Sequence, residues 1–162
     1  ESLRMRPDRV VVGEIRDGNA AMDMLQAMNT GHEGSMGTVH ANSPRDCFTR
    51  IDGMVAIAGM KIDQQAVYSQ VASALDLIVY QTRMRDGSRA VTHIVEITGM
   101  EGSVISMQDI FVRPAHAEGA SDPLRPAGLI PNCYQKIIDS GQTIDRGMFL
   151  LADEVGSANR WR

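Results

Sequence analysis

Three consecutive β-branched residues, Val10-Val11-Val12, run into Gly13 and then an acidic residue, Glu14. A short unbroken apolar run of this kind reads as a buried strand. It delivers Glu14 at its C-terminal end, and in an open α/β sheet that is the end where ligands bind. A carboxylate there can serve a Mg²⁺ shell or polarise a water. The competing reading is a surface carboxylate paired with Arg9 or Arg16. A strand of this kind works with a Gly-rich phosphate loop, and these 162 residues contain none. The sequence therefore carries half of a nucleotide site.

The segment up to about residue 75 reads as α/β. Asn19–Thr30 places Ala21, Met24, Leu25 and Met28 at one-face helical spacing, with Gly31 closing the helix. Met36–His40 is a second strand candidate. Ser43 and Pro44 then supply an N-cap and a first-turn proline for a helix whose inner face carries Cys47, Ile51, Met54 and Val55. Asp63 caps a third helix through Val67, Val71 and Leu75. From residue 76 to 112 the period changes to that of strands. Leu77–Arg83, Ala90–Ile97 and Val104–Phe111 form an antiparallel meander, with Asp86-Gly87 and Glu101-Gly102 at its turns. Residues 113–126 hold three prolines and no periodicity, and read as a mobile loop or linker. The segment 127–162 predicts a short helix over Pro131–Ser140 and a frayed tail after Leu151.

Composition narrows the classes. The net charge of −4 gives no reason to expect nucleic acid as a partner. No run approaches the ~20 apolar residues of a membrane span. Cys47 and Cys133 lack metal-site spacing and read as reduced, buried thiols, which fits the cytosol. Glu1 in place of an initiator methionine predicts a start inside a longer protein. Arg4, Arg6, Arg9 and Arg16 crowd the first sixteen residues, beside the expected phosphate site.

Two further elements could converge on Glu14. His32 lies in the turn Thr30-Gly31-His32-Glu33-Gly34, before the second strand, and His40 stands at the end of that strand. Imidazole can donate to a phosphate oxygen or shuttle a proton, and either histidine alone is also compatible with a structural role. Zinc is a poor alternative, since no helical His-Glu-x-x-His pattern is present. Glu14 could orient a water or complete a metal shell, His32 and His40 could sense a γ-phosphate, and Arg16 could neutralise developing charge. His93 and His116 read as packing and loop residues, and the eleven methionines as core filler.

Arg4-Met5-Arg6-Pro7-Asp8-Arg9-Val10-Val11-Val12-Gly13-Glu14-Ile15-Arg16-Asp17 resembles the Walker B segment of the ATPases that drive type II secretion, type IV pili and type IV secretion. Residues 29 to 46 look like their His box. The wording Ala27-Met28-Asn29-Thr30-Gly31-His32 with His40-Ala41-Asn42-Ser43-Pro44-Arg45-Asp46 is closest to the CpaF type of Tad/Flp pilus assembly. Ser73–Val79, Arg85–Arg89 and Gly99–Gly102 are similar to the C-terminal part of that type. Met36-Gly37 departs from a more usual Leu-Ser, and Ala127-Gly128-Leu129-Ile130-Pro131 from Thr-Gly-Ile-Arg-Pro.

The resemblance implies an α/β fold: a partial RecA-like P-loop NTPase core over residues 1–75, made of the Walker B strand, the His-box strand and flanking helices. The β meander and a C-terminal helix follow. It implies ATP and Mg²⁺ as ligands of the parent protein. Glu14, His32, His40 and Arg16 are then the catalytic residues, and Glu14 also holds the metal, through water. It further implies a homo-hexamer working with inner-membrane platform proteins, cytoplasmic and peripheral at the bacterial inner membrane. Without its phosphate loop the chain alone is expected to be inactive. Two alternatives stand beside this: a conjugation (type IV secretion) ATPase fragment, and a noncatalytic oligomerisation or platform-docking module over residues 60–150.

Overall fold

The computed structural model describes residues 6–151, so the expected tail after Leu151 lies outside the described residues. The described chain is mixed α/β and divides into two compact units, residues 6–76 with 99–106, and residues 77–98 with 107–151.

In the first unit, β1 (Val11–Val12) pairs in parallel with β2 (Met36–Gly37). Helix α1 (Gly18–Asn29) begins where the Asp17 carboxylate accepts from the Ala20 amide at 2.9 Å. The cap therefore sits two residues before the expected Asn19 start. Helix α2 (Asp46–Ile57) starts later than Ser43-Pro44 suggested. Ser43 Oγ accepts from the Asp46 amide at 3.1 Å, so Ser43 closes a turn ahead of the helix while Arg45 occupies the cap without a side-chain bond. Helix α3 (Gln64–Ala74) is capped by Asp63, as the spacing predicted.

The three helices share a core. Leu25 and Met24 of α1 meet Cys47, Phe48, Ile51 and Val55 of α2 and Val67 and Val71 of α3, all buried. Burial pushes the Cys47 thiol up to about 11, which leaves it a packing residue. Gly18 is what lets α1 approach α2. A Cβ there would lie 2.5 Å from the Met54 carbonyl oxygen, a backbone atom with no room to yield.

The sheet of this unit differs from expectation. Val11 is 69% exposed and Met36 59%. The run Val10–Val12 reads as buried because β-branched strands of parallel sheets are covered on both faces. Two strands alone leave a face that the described residues do not cover.

In the second unit, β3 (Leu77–Arg83), β4 (Arg89–Glu101), β5 (Val104–Val112) and β6 (Arg125–Pro126) lie in that order. The tip of the β4–β5 hairpin, 99–106, belongs to the first unit. β3 and β4 pair antiparallel from Leu77↔Glu96 to Arg83↔Arg89, with a bulge at Tyr80/Gln81. The meander is thus as expected, with both outer β4 and β5 ends longer. Helix α4 (Cys133–Asp139) and a 3-10 turn over Arg146–Phe149 follow among the described residues. Phe149 is buried against the rings of Phe111 and Tyr134, at centroid distances of 5.7 and 6.0 Å.

Residues 113–126 are not the structureless linker their composition suggests. Arg113 Nε donates to the Val91 carbonyl at 3.0 Å, the Asp86 amide donates to Glu118 O at 3.2 Å, and the Ala120 amide donates to Ser88 Oγ at 3.1 Å. Arg125 and Pro126 form β6 itself, paired with Phe111 and Val112. Proline content removed the periodic signal, while the fastening comes from long-range bonds to the β3–β4 turn and to Val91 of β4 that no local pattern reveals.

Candidate functional site

Glu14 stands two residues beyond β1, and Thr38 brackets it. The Ile15 amide donates to Thr38 O at 2.8 Å, the Thr38 amide donates to Val12 O at 3.3 Å, and Thr38 Oγ1 donates to the Gly13 carbonyl at 2.5 Å. One residue at the end of β2 therefore fixes the backbone on both sides of Glu14. The sequence places Thr38 at the head of the segment Thr38–Ser43 that could converge on Glu14, without giving Thr38 itself a role. Its signal was a hydroxyl at the C-terminal end of a strand, adjacent in a parallel sheet to the acidic position.

Both oxygens of the Glu14 carboxylate are engaged. Arg16 Nε donates to Oε2 at 2.7 Å and Arg16 Nη2 pairs with the same oxygen. His40 Nε2 lies 3.0 Å from Oε1. The Arg16 hydrogen bond holds the carboxyl below its usual range, against a partial desolvation that raises it, with the Arg16 and His40 charges adding to the lowering. Arg16 and His40 are 78% and 89% exposed, while Glu14 is 26%. A largely shielded carboxylate thus carries two solvent-facing cationic or polar partners. Of the surface pairs weighed for Glu14, with Arg9 or with Arg16, the structure shows the one with Arg16.

His32 is elsewhere. It precedes β2, and its Nδ1 lies 3.2 Å from the Ala27 carbonyl at the C-terminal end of α1. Its own carbonyl accepts from Ser35 Oγ at 2.7 Å, and Ser35 Oγ accepts in turn from the Val10 amide at 2.9 Å. The structure joins His40 to Glu14 and gives His32 a place between α1 and the N-terminal ends of the strands. Arg9, the other arginine considered, has its side chain against Gly34.

Beside the Glu14–His40 pair opens a cleft of about 970 Å³, formed by the N-terminus of α1, the residues after His40 and one face of α2. Arg16, Asp17, His40, Asn42, Asp46 and Arg50 bring its charge and polarity. Among the described residues no group of three or more His, Cys, Asp or Glu side chains could hold a metal ion. One carboxylate remains enough for Mg²⁺ held mainly by waters and substrate phosphates. No described helix is long and apolar enough to cross a membrane.

The sequence profile of the family described as type II/IV secretion system protein matches residues 1–120. A Mycobacterium tuberculosis protein named for conjugal transfer is 44% identical over 104 residues, covering 64% of this chain and 29% of that protein. Conjugal transfer protein TrbB of Rhizobium radiobacter is 39% identical over 98 residues, 60% of this chain and 28% of its own. The chain thus spans less than a third of these relatives. Among solved structures, the VirB11 ATPase of the Brucella suis type IV secretion system, crystallised with sulphate, superposes with a TM-score of 0.52. That match has 26% identity and covers 57% of this chain and 30% of the other. With the family profile covering most of its length, the chain belongs to the type II/IV secretion system protein family.

Proposed function

We propose that these residues form the water-activating half of a secretion ATPase that serves conjugation-type (type IV) transfer. The observation that carries this reading is the Glu14 carboxylate, set past the end of β1, bracketed by Thr38 and partnered by His40 and Arg16. In hydrolysis of ATP a water oxygen bonds to the γ-phosphorus as the bond to the ADP oxygen breaks, and catalysis is mostly positioning and charge neutralisation. Glu14 accepts a hydrogen bond from that water and would hold Mg²⁺ through water. His40 orients the carboxylate by its contact with Oε1. Arg16 faces the phosphoryl group. His32 acts at one remove, by fixing the end of α1.

The exposed face of β1 and β2 supports the other half of the proposal. Parallel sheets are covered on both faces, and Val11 and Met36 are open. In the parent protein this surface receives the part of the core that carries the phosphate loop. The parent works as a homo-hexamer with inner-membrane platform proteins, on the cytoplasmic face of the bacterial membrane. The relatives named for conjugal transfer favour type IV secretion. The wording of residues 27 to 46 favours a second assignment, to Tad/Flp pilus assembly, with the same chemistry.

The test is a chimera in which this chain replaces the matched segment of TrbB. Glu14→Gln in that chimera lowers kcat for Mg-ATP about 100-fold or more, while the Kd for ATP changes less than about threefold, because Glu14 acts on the water and other groups hold the phosphates. Unchanged kcat would remove Glu14 from the chemistry.

A further inference from the structure

Arg16 spends only one edge of its guanidinium on Glu14. Nε and Nη2 both address Oε2, and this edge accounts for the contacts of the side chain with the carboxylate. The planar group carries five N–H donors in a fixed fork. The edge made by Nη1 and Nη2 therefore retains donors, the side chain is 78% exposed, and it lines the cleft beside His40 and Arg50. Two carboxylates share that cleft. Asp17 accepts from the Ala20 amide as the α1 cap, and Asp46 lies in the first turn of α2.

We infer that Arg16 is a bridge: one guanidinium edge stays on Glu14 while the other binds a phosphoryl oxyanion in the cleft. The inference rests on the nucleotide reading of this site and adds to it a positioning function. A phosphoryl group held on the outer edge is set at a fixed offset from the carboxylate that acts on its water. The pair to Glu14 keeps the guanidinium plane oriented before the anion arrives, which reduces the ordering that binding requires. The alternative is a switch, in which the anion captures the inner edge and Glu14 is released. The two differ in what happens to the Nε–H.

The experiment uses the whole 162-residue chain with ¹⁵N-arginine, titrated with inorganic tripolyphosphate. The bridge predicts that the Arg16 Nε–Hε resonance keeps its position and its protection from exchange through saturation while the Nη resonances shift. Arg16→Lys keeps the charge but has no second edge, and should weaken tripolyphosphate binding about threefold to tenfold. Asp46→Asn removes a nearby negative charge and leaves the Arg16 signal on Glu14 unchanged. Loss or a large shift of the Nε–Hε resonance on saturation would establish the switch and overturn the bridge. Equal affinity of Arg16→Lys and wild type, or no binding by the wild type, would also overturn it. Failure here is separable from failure of the ATPase reading. The chimera can depend on Glu14 for turnover whether or not Arg16 bridges, and a bridge can exist in a chimera with no turnover.

Discussion

The meeting of Glu14, Arg16 and His40 follows from short-range spacing. A strand end, a residue two positions later and the end of the next parallel strand must meet once β1 and β2 pair. His32 was expected beside His40 on the same grounds, and the expectation of a shared location fails locally. β2 is only two residues long, and the turn before it commits His32 to the Ala27 carbonyl. The role of Thr38 was hidden because a threonine at a strand end has an ordinary packing explanation. Its bonds to Gly13 and Ile15 make a direct prediction. Thr38→Val removes the hydroxyl bond and should cost about 0.5–1.5 kcal/mol in urea unfolding, with faster amide exchange at Ile15. Thr38→Ser should recover most of that loss. Equal exchange in Thr38→Val and wild type would mean that the hydroxyl does not position Glu14.

The meander and the three helices could be read from period and turn residues, and β3, β4 and β5 lie where the change of period put them. Glu96 could not. It sits within Ile94-Val95-Glu96-Ile97, where a lone charge in an apolar run was the available signal. In the structure it is 2% exposed and accepts from Gln108 Nε2 at 2.7 Å, the Asn132 amide at 2.9 Å and the Cys133 amide at 2.7 Å. A buried carboxyl thus fastens the first turn of α4 to the sheet. Glu96→Ala removes the carboxylate that accepts from three donors and should destabilise the second unit by about 3–5 kcal/mol, with α4 amides exchanging first. A loss below about 1 kcal/mol would contradict the anchoring role.

The 113–126 loop has its own acid-sensitive fastening. The amides of Glu118 and Gly119 donate to Asp122 and hold its carboxyl below the usual range. The folded value lies under the unfolded one of about 3.9. This contribution is therefore complete above the unfolded value and is lost as pH falls through the lowered one. The Glu118 and Gly119 amide shifts should be flat from about pH 5 to 8 and move only below about pH 4. Asp122→Asn should abolish that acid transition.

At the scale of the whole molecule, the two-stranded parallel sheet decides the reading. Its strands could be read from short β-branched runs, but the exposure of Val11 and Met36 could not, because the covering of a strand face depends on long-range contacts that no local pattern reveals. Val11→Thr with Met36→Ser should change the stability of the 162-residue chain by less than about 0.5 kcal/mol. The same pair in the TrbB chimera should cost about 2–4 kcal/mol, since both side chains are then covered. Equal effects in both backgrounds would leave the face uncovered in the parent as well. The half-site itself is tested most directly by phosphate release from Mg-ATP with the 162-residue chain alone. The account predicts no turnover above the enzyme-free rate. Steady hydrolysis by this chain alone, lost on Glu14→Gln, would contradict it and show a complete catalytic site within these residues.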